Sequence, residues 1–359
     1  MTAVVAGAGM AGLVAAARLR QLGVTPTILE KGDRAGGSML LSSGVIWRHY
    51  ALDDFRAECP GGNAELQALI FDQLDERLDW LESLGATVTA HDTPNPRTTG
   101  RRFPPDALVA ALLRSAGDVR LGEPLDELGK EPVVLASGGF GAALARRLAL
   151  PLRASPWSEG DGFAVARRSR AAATAGMDEF YGRALPAAPA RVREDDFVRL
   201  AQVYGRHALV FDETGSVVES ANRAWHENDL VQEIARRPAG RAWYLVADET
   251  LEFAVGDATV RERIEAAREA GGTVVAPDDL AFPVPAGYVL AVHVTASVTH
   301  TIGGVAVDRE ARVLDEEGVP IGGLYAAGAD VGGVATGGYA SGLAAALVLG
   351  CVAAESLVG

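Results

Sequence analysis

Residues Val4 to Leu19 read VVAGAGMAGLVAAARL, and this stretch determines the predicted fold class. The apolar run Thr2–Ala6 predicts a buried parallel strand, and Leu13–Leu22 predicts the helix that follows it. Pro26–Glu30 predicts a second strand. A strand, a helix and a second strand in this order form the βαβ unit of an α/β domain.

The glycines between the first strand and the helix have the spacing of a dinucleotide-binding turn. Gly7 would make the tight turn, Gly9 would let the backbone approach a pyrophosphate, and Gly12 would let helix and strand pack closely. Met10 and Ala11 of the same turn are also assigned to the cofactor, and the N-terminus of the helix that follows offers N–H groups and the positive end of its dipole. These residues predict a dinucleotide site, and a glycine-rich turn without a ligand is the alternative.

An acidic residue and a second pair of glycines favour FAD over NAD. Glu30, at the tip of the second strand, is expected to bind the hydroxyls of the adenosine ribose. Lys31 follows it, and Gly36, Gly37 and Ser38 would let another loop close on the pyrophosphate and ribityl chain. A plain NAD domain does not need this second loop, so the sequence predicts FAD as the cofactor.

The composition sets limits on the class of function. The chain has 359 residues, of which 48% are hydrophobic, enough for two domains with packed cores. Lys and Arg number 33 against 47 Asp and Glu, and the formal net charge of −14 has the wrong sign for a nucleic-acid binder. The 42 glycines cluster towards both ends of the chain, where close approach of backbone to a ligand would use them.

The cysteine and histidine spacing argues against a metal centre. Cys59 and Cys351 form no CxxC pair, and the six histidines form no HExxH pattern, so we expect no protein-bound metal and a reducing compartment. No secretion signal is visible, and the apolar stretch Leu343–Ala354 is too short to span a bilayer. The sequence therefore predicts a soluble, cytoplasmic protein with neither a nucleic-acid nor a membrane partner.

The composition changes twice along the chain, which suggests an inserted domain. Glycine thins out and charge rises between Met177 and Ala286, and the glycine-rich, apolar composition returns afterwards. We therefore predict an α/β fold whose Rossmann-like FAD-binding domain is discontinuous in sequence, residues 1–176 and 287–359. An α+β cap domain, residues 177–286, is inserted between its two parts.

Two local expectations concern the first domain. Asp92–Arg102 is expected to be a loop because it contains two prolines and a glycine. Asp106 is expected to cap the helix that follows, and a C-terminal helix is expected to begin at Tyr339.

Segments at both ends of the chain resemble the flavoprotein subunits of succinate dehydrogenase and fumarate reductase and soluble relatives such as the 3-ketosteroid Δ1-dehydrogenases. The middle of the chain matches this family poorly. The segments that carry the resemblance, beside Val4–Leu19, are EKGDRAGGS at Glu30–Ser38, SSGVIW at Ser42–Trp47, VVLASGGFG at Val133–Gly141, EGDGFAVA at Glu159–Ala166, HTIGGVAVD at His300–Asp308 and IGGLYAAGADVGGVATGGYASGLAAALVLG at Ile321–Gly350.

The resemblance implies a wider FAD site. Asp330 is a candidate for the ribityl hydroxyls, although the acid of the family stands one position earlier, where this chain has Ala329. No histidine lies between Met39 and Arg48, where membrane-bound members attach the flavin covalently, so non-covalent FAD is expected. The further residues assigned to the cofactor are Ser42, Ser43, Gly44, Ala136, Ser137, Gly138, Asp161, Gly328, Gly338 and Ser341.

The resemblance also suggests the reacting groups. The histidine equivalent to His300 binds a substrate carboxylate or carbonyl in the reductases. Tyr339 stands where dicarboxylate reductases carry an arginine, and ketosteroid-type members have a tyrosine in this region that polarises a ketone. Arg223 or His226 could supply acid–base chemistry. The alternatives are a structural histidine, a packed aromatic ring and a solvated surface cluster, respectively.

The expected reaction is hydride transfer between flavin N5 and a carbon of an activated C–C bond, as a dehydrogenase or an ene reductase. The substrate would be a carbonyl-containing small molecule, neutral rather than a dicarboxylate. No second strand–GxGxxG–helix unit for a nicotinamide is present in the sequence, so a separate electron donor or acceptor, or a nicotinamide that binds transiently, is expected. A flavin oxidase acting on an amine or hydroxy acid, and a non-catalytic FAD-binding protein, remain as alternatives.

Overall fold

The computed structural model describes residues 2–93, 95–219 and 225–359. The chain divides into two units. The first consists of Met1–Ala143, Ala154–Phe180 and His300–Gly359, and the second of Leu144–Arg153 and Tyr181–Thr299. The sequence had placed residues 287–299 in the first unit, but the strand that starts at Leu290 belongs to the sheet of the second.

The strands and the α-helices are each numbered in chain order through both units. The strands in the described residues are β1 (Thr2–Ala6), β2 (Thr25–Glu30), β3 (Val45–His49), β4 (Thr98–Arg102), β5 (Val119–Leu121), β6 (Val133–Leu135), β7 (Phe180–Pro186), β8 (Leu209–Asp212), β9 (Arg241–Val246), β10 (Ala254–Val255), β11 (Ala258–Thr259), β12 (Val274–Val275), β13 (Leu290–Thr301), β14 (Arg312–Leu314) and β15 (Pro320–Ala326). The α-helices there are α1 (Met10–Gln21), α2 (Leu52–Glu58), α3 (Ala64–Ser83), α4 (Pro105–Ala116), α5 (Gly141–Leu148), α6 (Asp161–Arg168), α7 (Asn228–Ala235), α8 (Val260–Glu269) and α9 (Gly342–Val358).

A six-stranded sheet forms the centre of the first unit. Its order is β14-β15-β6-β1-β2-β5, and all neighbouring pairs except β14–β15 are parallel. The β1–α1–β2 unit lies within it, with the first strand between β6 and β2, as in a Rossmann-like domain. The predicted α/β arrangement and the return of the C-terminal part to the same sheet are confirmed.

Helix α9 packs closely against α1. Twelve of its seventeen residues are buried, and a Cβ at Gly350 would lie 2.8 Å from the carbonyl oxygen of Ala11. Further along α9, Glu355 forms ion pairs with two arginines. Arg77 binds both carboxylate oxygens at 2.9 Å, and Arg18 binds one of them at 2.8 Å. A bidentate guanidinium–carboxylate pair fixes orientation as well as distance, so α1, α3 and α9 are locked together.

Three local expectations were wrong. Asp92–Arg102 is not all loop, because Thr98–Arg102 pairs with Val45–His49 as an antiparallel ribbon. Pro104, rather than Asp106, occupies the N-cap of α4. Helix α9 begins at Gly342 rather than Tyr339, because the Ser341 side chain caps it by accepting a hydrogen bond from the Ala344 N–H at 3.2 Å.

The second unit is built on a mainly antiparallel sheet. Its order is β12-β13-β9-β8, and β7 pairs with β13. Helix α8 starts with a capping box in which Thr259 and Glu262 satisfy each other's backbone N–H groups. Within the described residues, no helix of either unit is long and apolar enough to cross a membrane.

Candidate functional site

Two of the first three motif glycines are required by the protein's own backbone. Gly7 has φ +109°, and a Cβ there would lie 2.2 Å from the carbonyl oxygen of Ala136. A Cβ at Gly12 would lie 1.9 Å from the carbonyl oxygen of Gly7. No larger residue fits at either position, so Gly7 and Gly12 hold the turn between β1 and α1 in place.

Gly9 differs, because a Cβ at this position would meet nothing within 4 Å. It is the N-cap of α1 and contributes no side chain, and the first N–H groups of the helix, from Met10 onwards, have no partner within the helix. The second glycine pair packs onto this point: the Gly36 N–H donates to the Ala8 carbonyl at 2.7 Å, and a Cβ at Gly37 would lie 3.2 Å from the Gly9 Cα. Open space before helix N–H groups fits a pyrophosphate.

The carboxylate of Glu30 is buried and held in one orientation. Its Oε2 accepts the Ala8 N–H at 2.8 Å and its Oε1 accepts the Gly32 N–H at 2.7 Å. A carboxylate has about four acceptor positions, so two positions remain for hydroxyl donors such as those of a ribose. Beside it, Lys31 Nζ pairs with Asp161 Oδ2 at 2.8 Å and joins the end of β2 to the start of α6.

Asp330 joins two loops of the first unit. Its carboxylate accepts the Ser137 N–H, the Ser137 hydroxyl at 2.9 Å and the Gly139 N–H at 3.2 Å. Ser137 in turn accepts the Gly162 N–H at 3.2 Å. Complete burial raises the pKa of Asp330, and the hydrogen bonds it accepts oppose that shift. Its assignment to the ribityl hydroxyls stays a prediction, because these protein donors already occupy much of the carboxylate.

Several other residues assigned to the cofactor also make contacts within the first unit. The Ala136 N–H donates to the Ala6 carbonyl at 2.8 Å, and Gly138 has φ +91° in the turn that follows. Ser42 accepts the Gly44 N–H at 3.1 Å, and Ser43 next to it is exposed.

Three of the predicted glycines lie against neighbouring backbone or side chains. A Cβ at Gly44 would lie 1.9 Å from the Phe103 carbonyl oxygen, and one at Gly338 would lie 1.7 Å from that of Glu58. Gly328, with φ +67°, is close to the Ala11 side chain. These contacts explain why each position has no side chain, and a role in FAD binding remains a prediction for each.

His300 lies near the end of β13, directly against the start of α9. A Cβ at Gly342 would lie 3.1 Å from Cε1 of its ring. Withdrawal of the half-buried ring from water lowers the pKa of His300 to about 4. The positive end of the helix dipole also disfavours an imidazolium here. The imidazole is therefore neutral at physiological pH.

Tyr339 belongs to a cluster of rings within the first unit. Its ring centroid lies 5.4 Å from that of Trp47, and Trp47 in turn lies 5.4 Å from His49, which stacks on Phe55 at 5.7 Å. The Trp47 N–H also approaches the Ser341 hydroxyl at 3.5 Å. Sequence reasoning missed this cluster. The alternating Trp47 and His49 of a buried strand were its only signal.

Thr301, the residue after His300, supplies a further buried polar atom. Its hydroxyl is buried and makes no hydrogen bond to any of the described residues. It lies next to the loop after β6, where a Cβ at Gly139 would be 2.5 Å from it. A buried hydroxyl without a protein partner favours a ligand or an ordered water at this place.

The predicted acid–base cluster of the cap is only partly described. Arg223 lies outside the described residues. His226 is in the second unit with 1% of its surface exposed, so a solvated surface does not describe it. Its Nδ1 accepts the Asn228 N–H at 3.0 Å, and its carbonyl accepts a hydrogen bond from Arg183. Residues 2–93, 95–219 and 225–359 contain no group of three or more His, Cys, Asp or Glu that could hold a metal.

Two family profiles match the chain. The FAD binding domain profile matches residues 122–343, more than half of the chain, and the NAD(P)-binding Rossmann-like domain profile matches residues 5–66. The second match contains the turn after β1 and the acid at the end of β2. The first contains the loop after β6, His300 and Tyr339.

The chain is similar in sequence or in fold to fumarate reductases and to a 3-ketosteroid dehydrogenase. A probable fumarate reductase of Shewanella frigidimarina is 24% identical over an alignment of 422 positions, gaps included, which covers 92% of this chain and 70% of that protein. A 3-ketosteroid Δ1-dehydrogenase from Sterolibacterium denitrificans, solved with 1,4-androstadiene-3,17-dione, superposes with a TM-score of 0.73 at 16% identity over 99% of both chains. A flavocytochrome c3 fumarate reductase gives 0.72 at 20% identity, over all of this chain and 78% of that one.

Proposed function

The chain belongs to the FAD-binding domain family, and from this we propose that it is an FAD-dependent oxidoreductase acting on an activated C–C bond of a carbonyl-containing small molecule. The bound cofactor would supply hydride transfer. The glycine turns around Gly9 and Gly37 would receive its pyrophosphate, and Glu30 its adenosine ribose. The prediction of FAD as cofactor is confirmed by the family match, and non-covalent binding is part of the proposal.

The observation that carries the reaction class is the neutral His300 at the N-terminal end of α9. Tyr339 lies at the same end, shortly before the helix begins. Both side chains are uncharged hydrogen-bond donors. Uncharged donors suit the oxygen of a ketone, on which negative charge develops as the adjacent carbon reacts. An arginine fork suits a carboxylate. The substrate class that fits best is therefore a neutral, apolar carbonyl compound.

The chain's own residues would act on that carbonyl. Tyr339 and His300 would donate hydrogen bonds to its oxygen and hold it against the positive end of α9. The Trp47 ring beside Tyr339 would keep water from one side of the phenol and so strengthen its hydrogen bond. We further propose a separate electron donor or acceptor. FAD would occupy the dinucleotide-binding turn Gly7–Gly12, and the sequence has no second turn of this kind for a nicotinamide.

The absorption spectrum of the purified protein tests the cofactor assignment. We expect a yellow protein whose flavin is released into the supernatant on heat denaturation and identified as FAD by chromatography. A colourless protein that takes up no added FAD would overturn the proposal, and flavin left on the precipitate would overturn non-covalent binding.

Reactivity with cyclic ketones and enones tests the reaction class. The first probe is 1,4-androstadiene-3,17-dione, added anaerobically to dithionite-reduced protein. Reoxidation that follows the enone concentration would support the proposal. Hydrogen peroxide released in step with consumption of an amine or hydroxy acid would instead establish an oxidase, and reoxidation by no substrate or acceptor would indicate a non-catalytic protein.

The neutral state of His300 predicts how stability depends on pH. An unfolded histidine has a pKa of about 6.5, and that of folded His300 is about 4. The unfolded chain therefore binds more protons between these values, and the folded state loses stability as the pH falls through this window. In His300→Gln this loss should be smaller by an amount on the order of 1–3 kcal/mol. Urea unfolding of both proteins at pH 7 and pH 4.5 measures it, and equal pH dependence would contradict a neutral His300.

A further inference from the structure

Trp157 is a large side chain of the first unit with 41% of its surface exposed. Its indole lies directly on Gly32, two residues after Glu30. A Cβ at Gly32 would lie 2.6 Å from Cδ1 and 2.8 Å from Nε1 of the indole, and 3.0 Å from Oε1 of Glu30. The indole, Gly32 and the Glu30 carboxylate therefore meet at one point of the surface.

The loop that carries Trp157 is fixed at both ends. The Ser155 N–H donates to the Ser38 hydroxyl, in the second glycine loop, at 3.0 Å. Ser158 donates its hydroxyl to the Ser155 carbonyl at 2.8 Å, and its own carbonyl accepts the Ala142 N–H at 2.9 Å. The exposed indole is therefore held in place by hydrogen bonds of its loop, without being buried in the core.

Gly32 is suited to this contact rather than to a turn. Its φ is outside the left-handed range, so its backbone conformation does not require glycine. Its missing side chain leaves the space that the edge of the indole occupies. Glycine at position 32 therefore allows the indole of Trp157 to lie close to the end of β2.

Glu30 locates the ribose of the adenosine, and the adenine base is joined directly to that ribose. The base must therefore lie within one sugar of the Glu30 carboxylate. A flat, apolar base needs an apolar surface there, and an indole offers one at little cost in conformational entropy.

We propose that Trp157 is the adenine-binding residue of the FAD site and stacks its indole on the base. The proposal rests on the proposed FAD site and adds a contact to its adenosine half. The ligand chemistry that Trp157 recognises is the purine base, so ADP would use the contact as FAD does, whereas FMN, which lacks adenosine, would not.

The first test is the affinity of the flavin-depleted protein for FAD, ADP and FMN, followed by tryptophan fluorescence and ultrafiltration. In Trp157→Ala we expect the dissociation constants of FAD and ADP to rise about tenfold, as loss of one base–aromatic stack does. Trp157→Phe should keep both within about threefold, because it retains a ring face. FMN should bind equally to all three proteins.

A matched control removes another half-exposed aromatic ring. Phe253 in the second unit is 44% exposed, and Phe253→Ala should leave the affinity for FAD and ADP unchanged. Since both rings are at the surface, both alanine variants should unfold at nearly the wild-type temperature, and the thermal transition of each is recorded with its affinity.

Gly32→Ala provides a second variant, because its Cβ would push the indole away, from 2.6 Å, and would press more weakly on Oε1 of Glu30, at 3.0 Å. It should weaken FAD binding in the wild type and have a smaller effect in Trp157→Ala, where no ring is left to displace. Additive effects of the two substitutions would overturn the proposal.

The outcomes separate this proposal from the proposed function. Wild-type protein that binds FAD and ADP, with unchanged affinities in Trp157→Ala, would overturn the role of Trp157 and leave the FAD site intact. Wild-type protein that binds neither would overturn both. An equal loss of affinity for FMN in Trp157→Ala would also contradict an adenine contact.

Discussion

Tyr339→Phe is expected to lower turnover about 10²–10³-fold while FAD remains bound, the usual loss when one donor to a developing oxyanion is removed. The ring of phenylalanine preserves the packing on Trp47, whose centroid lies 5.4 Å from that of Tyr339. Only the hydroxyl is lost. Steady-state kinetics with the active enone, together with the flavin content of the purified variant, measure the effect.

Tyr325→Phe is the matched control, since Tyr325 is in the same unit and donates its hydroxyl to the Ser356 carbonyl at 3.3 Å. It should turn over at the wild-type rate. Because the lost donor acts on the charge that develops during reaction, kcat should fall more than KM rises. Full activity in Tyr339→Phe would remove Tyr339 from the reacting centre, and a loss of FAD would indicate a structural role instead.

Gly12→Ala is expected to lower stability and Gly9→Ala to lower the affinity for FAD, although the two residues belong to one motif. A Cβ at Gly12 would lie 1.9 Å from the Gly7 carbonyl oxygen, and neither backbone can move away without opening the β1–α1 junction. We expect a destabilisation of about 3 kcal/mol. Gly9 has φ −78° and open space before it, so alanine should leave stability unchanged or slightly higher.

Affinity for FAD should show the reverse order. In Gly9→Ala the methyl group would occupy open space at the turn expected to receive the pyrophosphate, and we expect FAD to bind at least about tenfold more weakly, a loss of about 1.4 kcal/mol. Urea unfolding of the flavin-free proteins and FAD titration separate the two quantities. If Gly9→Ala binds FAD as the wild type does, the pyrophosphate does not lie at this turn.

The first strand, helix and glycine turn were predictable because the contacts that form them are local. Gly7, Gly9 and Gly12 lie within six residues, and their roles follow from the spacing alone. The parallel character of the central sheet was predictable in outline for a related reason, because short apolar runs flanked by glycine are typical of parallel strands. The order of its six strands was not predicted.

The rest depended on contacts between distant residues, which spacing does not reveal. The two prolines and the glycine of Asp92–Arg102 predict a loop, yet its last part, Thr98–Arg102, becomes a strand through pairing with Val45–His49. The contact of Trp157 with Gly32 was not predictable, because the two residues are far apart in the sequence and no motif connects them. Gly338 and Gly44 were assigned to the flavin, and each also meets a distant carbonyl oxygen that leaves no room for a side chain.

The sheet order of the first unit has a consequence for the biosynthesis of the protein. β1 pairs with β6, whose other edge is taken by β15 (Pro320–Ala326), and α1 packs against α9 (Gly342–Val358). A ribosome translates all of Tyr181–Thr299 after β1, α1 and β6 but before it reaches β15 and α9. We expect the second unit to be able to fold before β15 and α9 are made, and the first unit to be completed only once they have been translated. FAD can then be retained only after β15 and α9 are in place, and premature termination before Pro320 yields a chain unable to retain FAD.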